Sequence, residues 1–236
     1  VRTSTIFTYS GDYLDYTMEL EGKQETATTG DIVKSYTKYE VGPDQKRNYT
    51  YNFKGQTALG ANITVFDPLK IKTSVVYKYE GDYLTYTMTL KGKYEEAAAG
   101  AVIQSYTKYD ESSDEKQNYT YNFKGSVTLK EDPEAVPPVT LIDFVSTDIR
   151  TSVIYSYSGD YLAYSMTLKG MKQSAVTGDE IQSYVEYDGS DLQQQKFAYN
   201  FKSGTLLQAN LTTFDPTKVR TSTIFTYSGD YLDYTM

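Results

Sequence analysis

The residues with the clearest potential for chemistry are a serine and a lysine three positions apart, Ser35 with Lys38 and again Ser105 with Lys108. This S-x-x-K spacing is the nucleophile motif of penicillin-recognising enzymes, in which a helix places both side chains on one face. Here the surrounding residues alternate as in a strand, so the two side chains are expected on opposite faces. The third copy carries Glu186 in place of the lysine. We therefore expect no catalysis from this motif.

Carboxylates are the second class of candidates, because a pair of them can act as acid and base in glycoside hydrolysis. The recurring aspartates are Asp12, Asp82, Asp160 and Asp230, and each follows a glycine. Aspartate is favoured in turns for backbone reasons, so a turn is the preferred interpretation of all four. We expect that the chain is not an enzyme.

Two acidic stretches, 110–115 and 188–191, offer oxygen atoms of the kind that Ca²⁺ accepts. The candidate ligands are Asp110, Asp114, Asp188 and Asp191. Neither stretch has the spacing of a known calcium loop, so solvated turns are the favoured interpretation. The sequence predicts no cofactor, with Ca²⁺ as the alternative.

The composition excludes several further kinds of site. The chain of 236 residues contains no His, Cys or Trp, which removes disulfides, thiolate metal sites and the usual proton shuttle. Its net charge of −8 opposes binding to nucleic acid, whose affinity depends on neutralised phosphates. No apolar stretch is long enough for a membrane-spanning helix. No chemistry beyond packing and surface contacts is indicated.

Four N-x-T sequons predict acceptors for N-linked glycans, at Asn48, Asn62, Asn118 and Asn210. Each asparagine falls on the polar face of a predicted strand. Secreted eukaryotic repeats of this size usually contain disulfides, which this chain lacks. We therefore expect an extracellular or cell-surface protein, of archaeal or bacterial type.

An internal repeat dominates the sequence. The segment beginning Val1-Arg2-Thr3-Ser4 recurs from residues 71, 149 and 219, which defines repeats 1–70, 71–148 and 149–218 and a fourth, partial one. Residues 219–236 are identical to residues 1–18, although the other repeats have diverged. We expect the chain to be part of a longer array in which residue 219 begins the next large repeat.

Each repeat opens with a predicted hairpin around a Gly-Asp turn, in which glycine supplies the positive φ. Pairing across Gly11 and Asp12 places Tyr9 opposite Leu14 and, continuing the same register, Phe7 opposite Tyr16 and Thr5 opposite Met18. These side chains would share a buried face, with Ile6 on the wet face.

Three more strands are predicted in each repeat. The third spans about residues 32–41, and its Val33 and Tyr36 lie on opposite faces; in the fourth, Tyr49, Tyr51 and Phe53 share a face. The fifth carries an apolar face formed by Leu59, Ala61, Ile63 and Val65. A Pro-rich insertion near 131–138 lengthens the second repeat.

This pattern predicts an all-β chain of antiparallel units of about five strands, sandwich-like or barrel-like, stacked into an extended array. The recurring tyrosines would pack in its core or between units: Tyr16, Tyr86, Tyr164, Tyr51, Tyr121 and Tyr199.

The function expected from these features is structural: a self-assembling extracellular protein of a fibre, sheath, surface layer or stalk, with other copies of itself as partner and with N-linked glycans. The alternative is a carbohydrate-binding or adhesive cell-surface module, since exposed tyrosines stack on sugars. An outer-membrane β-barrel is less favoured, because no lipid-facing apolar belt can be drawn.

Overall fold

A computed structural model describes residues 2–110, 112–125, 127–131, 140–141, 144–229 and 231–236, without the side chains at 131, 140, 141 and 231. The predicted Pro-rich insertion at 131–138 lies outside these residues apart from position 131.

The chain is all-β, as predicted, but its strands form one open sheet rather than a sandwich or a closed barrel. Fourteen antiparallel strands are hydrogen-bonded in chain order, and β9 and β10 form a separate pair. The strands are β1 Thr3–Ser10, β2 Tyr13–Glu21, β3 Val33–Tyr39, β4 Arg47–Phe53, β5 Ile71–Glu80, β6 Tyr83–Lys91, β7 Ile103–Tyr109, β8 Gln117–Phe123, β9 Lys130–Glu131, β10 Thr140–Leu141, β11 Ile149–Ser158, β12 Tyr161–Lys169, β13 Ile181–Tyr187, β14 Gln195–Phe201, β15 Val219–Ser228 and β16 Tyr231–Thr235.

Short 3₁₀ helices precede three of the strands, at Pro68–Lys70, Ser146–Asp148 and Pro216–Lys218. In the first, Asp67 caps the helix by accepting a hydrogen bond from the Leu69 backbone N–H at 2.9 Å, and proline occupies the first helical position. Within the described ranges, no helix has the length and apolar character needed to cross a membrane.

The chain divides into two compact units. The first comprises Val1–Tyr106 and Gly125–Asp143, and the second comprises Thr107–Lys124 and Phe144–Met236.

In the first unit, the core lies between one face of the sheet and the loops that cross it. The strands contribute the fully buried Met18 and Tyr51, and the loop that joins β4 to β5 contributes Leu59 and Phe66. A single sheet layer cannot bury its apolar face alone, so these loops act as the second layer.

The second unit has a core of the same kind. Met166, Tyr184 and Phe201 come from strands, while Leu207 and Phe214 come from the loop between β14 and β15.

The predicted register of the first hairpin is correct only next to its turn. Tyr9 lies opposite Leu14, but a bulge then shifts the pairing, so that Ile6 rather than Thr5 lies opposite Met18. As a result, Ile6 packs against the core and Phe7 is 58 % exposed, the reverse of the prediction. A bulge inserts one extra residue and so exchanges the two faces of a strand.

A second bulge corrects the prediction for β3. Leu20 pairs with Val33 and Glu19 with Ser35, so the residue between Val33 and Ser35 has no partner on β2. Both Val33 and Tyr36 therefore reach the buried core, although strict alternation places them on opposite faces.

The predicted fifth strand is wrong, because residues 59–66 form a loop with a turn at Ile63 and Thr64 instead of a strand. The Asn62 Oδ1 accepts hydrogen bonds from the Thr64 backbone N–H at 3.3 Å and from its hydroxyl at 3.0 Å. This local bond competes with strand pairing. Leu59 is buried in the core, whereas Val65 is 66 % exposed.

Candidate interaction surface

The face of the sheet opposite the core carries a row of hydroxyl-bearing and β-branched side chains. In the first unit, Thr17, Thr37, Thr50, Val75 and Thr89 lie side by side on successive strands. This row contains no charged side chain. We call it the hydroxyl row.

Two neighbouring members of the hydroxyl row share a hydrogen bond, and the hydroxyl of Tyr77 lies within hydrogen-bond distance of one of them. The Thr37 and Thr50 hydroxyls are 2.9 Å apart, and the Thr50 hydroxyl is 3.3 Å from that of Tyr77. In the second unit, the hydroxyls of Thr107 and Thr120 are 2.8 Å apart, and that of Thr120 lies 3.4 Å from the Tyr155 hydroxyl. The same lateral arrangement thus occurs in both units.

Of the tyrosines predicted to pack, Tyr51 and Tyr121 are each 1 % exposed. Tyr16 is half-buried and packs against the core of the first unit, and Tyr164 and Tyr199 do the same in the second unit.

The sixth of these tyrosines, Tyr86, is also half-buried, and its ring centre lies 5.4 Å from that of Tyr106. Sequence reasoning missed the central ring of the first core, Tyr36. This ring lies 5.3 Å from Tyr16 and 5.0 Å from Phe66. Burial raises the pKa of the Tyr36 hydroxyl well above its usual range.

The two members of the S-x-x-K motif bind different carboxylates. The Ser35 hydroxyl donates to Glu19 at 3.5 Å, whereas Lys38 forms an ion pair with Asp15. Lys38, the residue that would act as the base in this motif, is therefore paired with a different group and does not bond to the Ser35 hydroxyl. A nucleophile needs its base within hydrogen-bond reach.

The candidate calcium ligands are engaged mainly within their own turns. Asp110 accepts from the Ser112 hydroxyl at 2.8 Å, and Asp188 accepts from the Ser190 hydroxyl at 2.6 Å. The hydrogen bonds from Ser190 lower the pKa of the Asp188 carboxyl.

Asp114 forms an ion pair with Lys116 at 3.0 Å, and Asp191 is exposed. Nowhere in the described part of the chain do three or more acidic side chains form a group that could hold a metal ion.

All four sequon asparagines are exposed. Asn48 and Asn118 lie near the starts of β4 and β8. Asn62 and Asn210 lie in turns instead of in strands, and each accepts a hydrogen bond from the hydroxyl of its sequon threonine, at 3.0 and 3.1 Å. The predicted strand location is therefore wrong for these two, although their exposure allows modification.

The same side-chain hydrogen bond occurs in three strand pairs, and we call each of these pairs a junction: β4 with β5, β8 with β11, and β14 with β15. In each pair an asparagine amide donates to a threonine hydroxyl across the pair, at 3.0 to 3.2 Å. The pairs are Asn52 with Thr73, Asn122 with Thr151 and Asn200 with Thr221.

A long side chain before the first strand of each junction reaches the Gly-Asp turn of the following hairpin. Lys46 binds Asp82 at 2.9 Å, and Lys116 binds Asp160 at 2.9 Å. The carboxylates hold the pKa of both lysines above the usual range. At the third junction Gln194 donates to the Gly229 carbonyl at 2.9 Å.

Tyrosines next to the Gly-Asp turns are exposed. Tyr13, Tyr83 and Tyr161 each follow the turn directly, and they are 38 %, 45 % and 41 % exposed. They place an accessible aromatic ring at the same end of three hairpins.

A cleft of about 550 Å³ in the second unit is lined by Glu180, Asn200, Lys202, Arg220 and other residues. The Glu180 carboxylate accepts from Lys169 at 2.7 Å and from the Gly204 backbone N–H at 3.0 Å, and these bonds lower its pKa. It therefore stays ionised and bound, which is unsuited to general acid chemistry.

Comparison with known proteins identifies no family, because neither a family model nor a curated protein matches the chain. We therefore infer the function from the surfaces described above.

Proposed function

We propose that this chain is a structural, self-assembling extracellular protein that forms a fibre, sheath, surface layer or stalk. The observation that carries the proposal is the open sheet with one face covered by loops and the hydroxyl row on the other. In the proposed assembly the three sequence repeats stack in an extended array, and the polymer consists of copies of this chain with N-linked glycans. No catalytic role is proposed.

The size of the sheet supports assembly. Open sheets rarely exceed about ten strands without curling or splitting into packed layers. A sheet of fourteen strands with an uncovered polar face therefore suits a stacked arrangement, in which facing sheets lie about 10 Å apart.

The charge distribution also favours contact between copies through the face that carries the hydroxyl row. The chain has a net charge of −8, which opposes close approach of two copies. The hydroxyl row carries no charge, so two such rows can meet without direct repulsion between them. The threonine and tyrosine hydroxyls can both donate and accept hydrogen bonds across the contact.

Electron microscopy of the purified full chain tests this function. We expect filaments, tubes or sheets for the natural sequence and fewer of them for Thr37→Lys, which places a charge in the hydroxyl row. Thr26→Lys, at an exposed loop position, is the matched control and should assemble normally. Dispersed monomers from the natural sequence would refute the proposal. Equal assembly of both variants would exclude the hydroxyl row as the contact.

The glycan component has its own test. Expression in a host that adds N-linked glycans should raise the mass of the chain, and Asn→Gln substitutions at the four sequons should remove the increase. An unmodified chain from such a host would refute this component alone.

A carbohydrate-binding or adhesive function is the second candidate, and the exposed tyrosines next to the turns favour it. Aromatic faces of this kind can pack against apolar sugar surfaces. A glycan array would decide, with Tyr83→Ala as the variant and Tyr51→Phe as the buried control. Binding that is lost in Tyr83→Ala and kept in Tyr51→Phe would support this function over the structural one.

A further inference from the structure

The four N-x-T sequons fall into two structural classes. Asn62 and Asn210 lie in loops, and we call their sequons the loop sequons. Asn48 and Asn118 lie in β4 and β8, and we call theirs the strand sequons. All four asparagines are exposed, so exposure does not separate the classes. The sequon threonine does, because its hydroxyl is the group through which a glycan-transferring enzyme recognises the acceptor.

The loop sequon of the first unit forms a turn closed by its own side chains. The Asn62 Oδ1 accepts hydrogen bonds from the backbone N–H and the hydroxyl of Thr64, and the Val65 N–H donates to the Asn62 carbonyl at 3.2 Å. Thr64 is exposed. These bonds hold the asparagine and the threonine hydroxyl side by side on the surface. They do not involve Nδ2, the atom to which a glycan is attached.

The loop sequon of the second unit has the same geometry. The Asn210 Oδ1 accepts from the Thr212 N–H at 3.2 Å and from its hydroxyl at 3.1 Å, and the Thr213 N–H donates to the Asn210 carbonyl at 3.2 Å. Thr212 is also exposed. Asn62 and Asn210 occupy corresponding positions of the first and third repeats, so the same local structure forms twice.

The strand sequons hold their threonines differently. Thr50 belongs to the hydroxyl row, where its hydroxyl lies 2.9 Å from that of Thr37 and 3.3 Å from that of Tyr77. The hydroxyl of Thr120 is within hydrogen-bond distance of two neighbouring hydroxyls in the same way. Both sequon threonines are half-buried. An enzyme would therefore meet hydroxyls that are already bonded within the sheet.

The backbone of the strand sequons is held as well. Tyr49, the middle residue of the first, pairs with Lys38 on β3 and with Val76 on β5. Tyr119, the middle residue of the other, pairs with Ile154 on β11. A transferase binds its acceptor as a separate segment of chain, so a strand sequon has to leave the sheet first. A loop sequon needs only a local rearrangement.

We propose that glycan transfer to the folded chain takes place at the loop sequons, on Asn62 and Asn210, and leaves the strand sequons unmodified. In the transfer, the asparagine Nδ2 forms a bond to the anomeric carbon of a sugar carried on a lipid phosphate. The bond from that carbon to the phosphate oxygen breaks, the phosphate leaves with the bonding electrons, and one Nδ2 proton passes to solvent. This inference rests on the glycan component of the proposed function and specifies its sites.

These sites place the glycans on one side of the sheet. Ile63 follows Asn62 and packs against the core of the first unit, and Leu211 follows Asn210 and packs against the core of the second. Both loops therefore lie over the core face of their own unit. Glycans attached there leave the hydroxyl row open for contact with a second copy.

Transfer in vitro to the full, folded chain tests the proposal. The probes are a lipid-linked oligosaccharide and a single-subunit oligosaccharyltransferase that requires only the N-x-T pattern, and mass spectrometry of glycopeptides gives the occupancy of each site. We expect several-fold higher occupancy at the loop sequons than at the strand sequons. Short peptides, one for each sequon, control for the middle residue and should be modified to similar extents. Equal occupancy of all sites in the folded chain, or peptides that show the same preference, would overturn the proposal.

Two matched double variants provide a second measurement on the intact chain. Asn62→Gln with Asn210→Gln should remove most of the mass increase, whereas Asn48→Gln with Asn118→Gln should retain it. An increase that persists in the first variant and is lost in the second would refute the assignment of the sites.

The outcomes for the two proposals are separable. If transfer in vitro selects the loop sequons but the chain from a glycosylating host is unmodified, the glycan component of the function fails and the site assignment stands. If all four sites are modified equally in vitro and in the host, the site assignment fails and the glycan component stands.

Discussion

Replacing Phe66 by alanine should destabilise the first compact unit strongly, because this loop residue packs over the aromatic side chains on the buried face of the sheet. Phe66 is 7 % exposed. Its ring centre lies 5.0 Å from Tyr36, 4.9 Å from Phe53 and 6.1 Å from Tyr51. Among the described residues, the loop that joins β4 to β5 supplies the side chains that cover this face, so this loop excludes water from it.

The magnitude follows from these contacts. Truncating a buried phenylalanine to alanine costs about 3–5 kcal/mol, and each aromatic pair contributes about 0.5–1.5 kcal/mol beyond its buried area. Three such pairs place Phe66→Ala in the upper part of the range, at about 4–5 kcal/mol. Domains are stable by only about 5–15 kcal/mol, so the first unit would lose a large fraction of its stability.

Urea unfolding followed by tyrosine fluorescence measures the effect. The matched control is Phe7→Ala, whose side chain is 58 % exposed and should change the free energy of unfolding by no more than about 0.5 kcal/mol. Strict alternation along β1 predicts the opposite, with Phe7 in the core. A loss below about 1 kcal/mol for Phe66→Ala, or an equal loss for Phe7→Ala, would refute the loop-covered core.

Three further predictions concern the same structure. Ser74 is fully buried, and its hydroxyl donates to the Gly92 carbonyl at 2.6 Å and accepts from the Tyr94 N–H at 2.9 Å. Ser74→Ala should therefore lower the free energy of unfolding in urea by about 2–4 kcal/mol. The control Ser10→Ala, at an exposed position, should lower it by about 0.5 kcal/mol or less. Burial raises the pKa of the Tyr121 hydroxyl to about 12. The unfolded chain therefore releases this proton first, and the free energy of unfolding should fall as the pH rises from about 10 to 12. Urea unfolding curves that coincide at both pH values would contradict this. Because the carboxylates of the acidic turns are held by their own turns, adding Ca²⁺ should leave the melting temperature unchanged, and a saturable rise in calorimetry would contradict the assignment.

The alternation of apolar and polar residues along the sequence is sufficient to predict the fold class and most strand positions. The Gly-Asp turn is a two-residue loop with Gly11 at a φ of +61°, as its residue types indicate. The fourth strand also follows its pattern, with Tyr51 and Phe53 buried. In these segments, local preference and tertiary packing favour the same structure.

Bulges explain the errors that remain in the strands. Strict period-two counting assigns Phe7 to the core, and one extra residue beyond the turn moves it to the exposed face. The residues that flank the bulge are ordinary strand formers, so the sequence contains no local signal for it. The extra residue is Asp15, which has no partner on β1 and forms an ion pair with Lys38.

The error at residues 59–66 has a different cause, and it bears on function. The apolar residues there do belong to the core, but they reach it from a loop that folds over the sheet, since Asn62 and Asp67 form turns through their side chains. A fifth strand would have extended the sheet instead of covering it. Because the loop covers one face only, the hydroxyl row stays open on the other. The same turn-forming residues that defeat the strand prediction thus leave the face on which the proposed assembly depends.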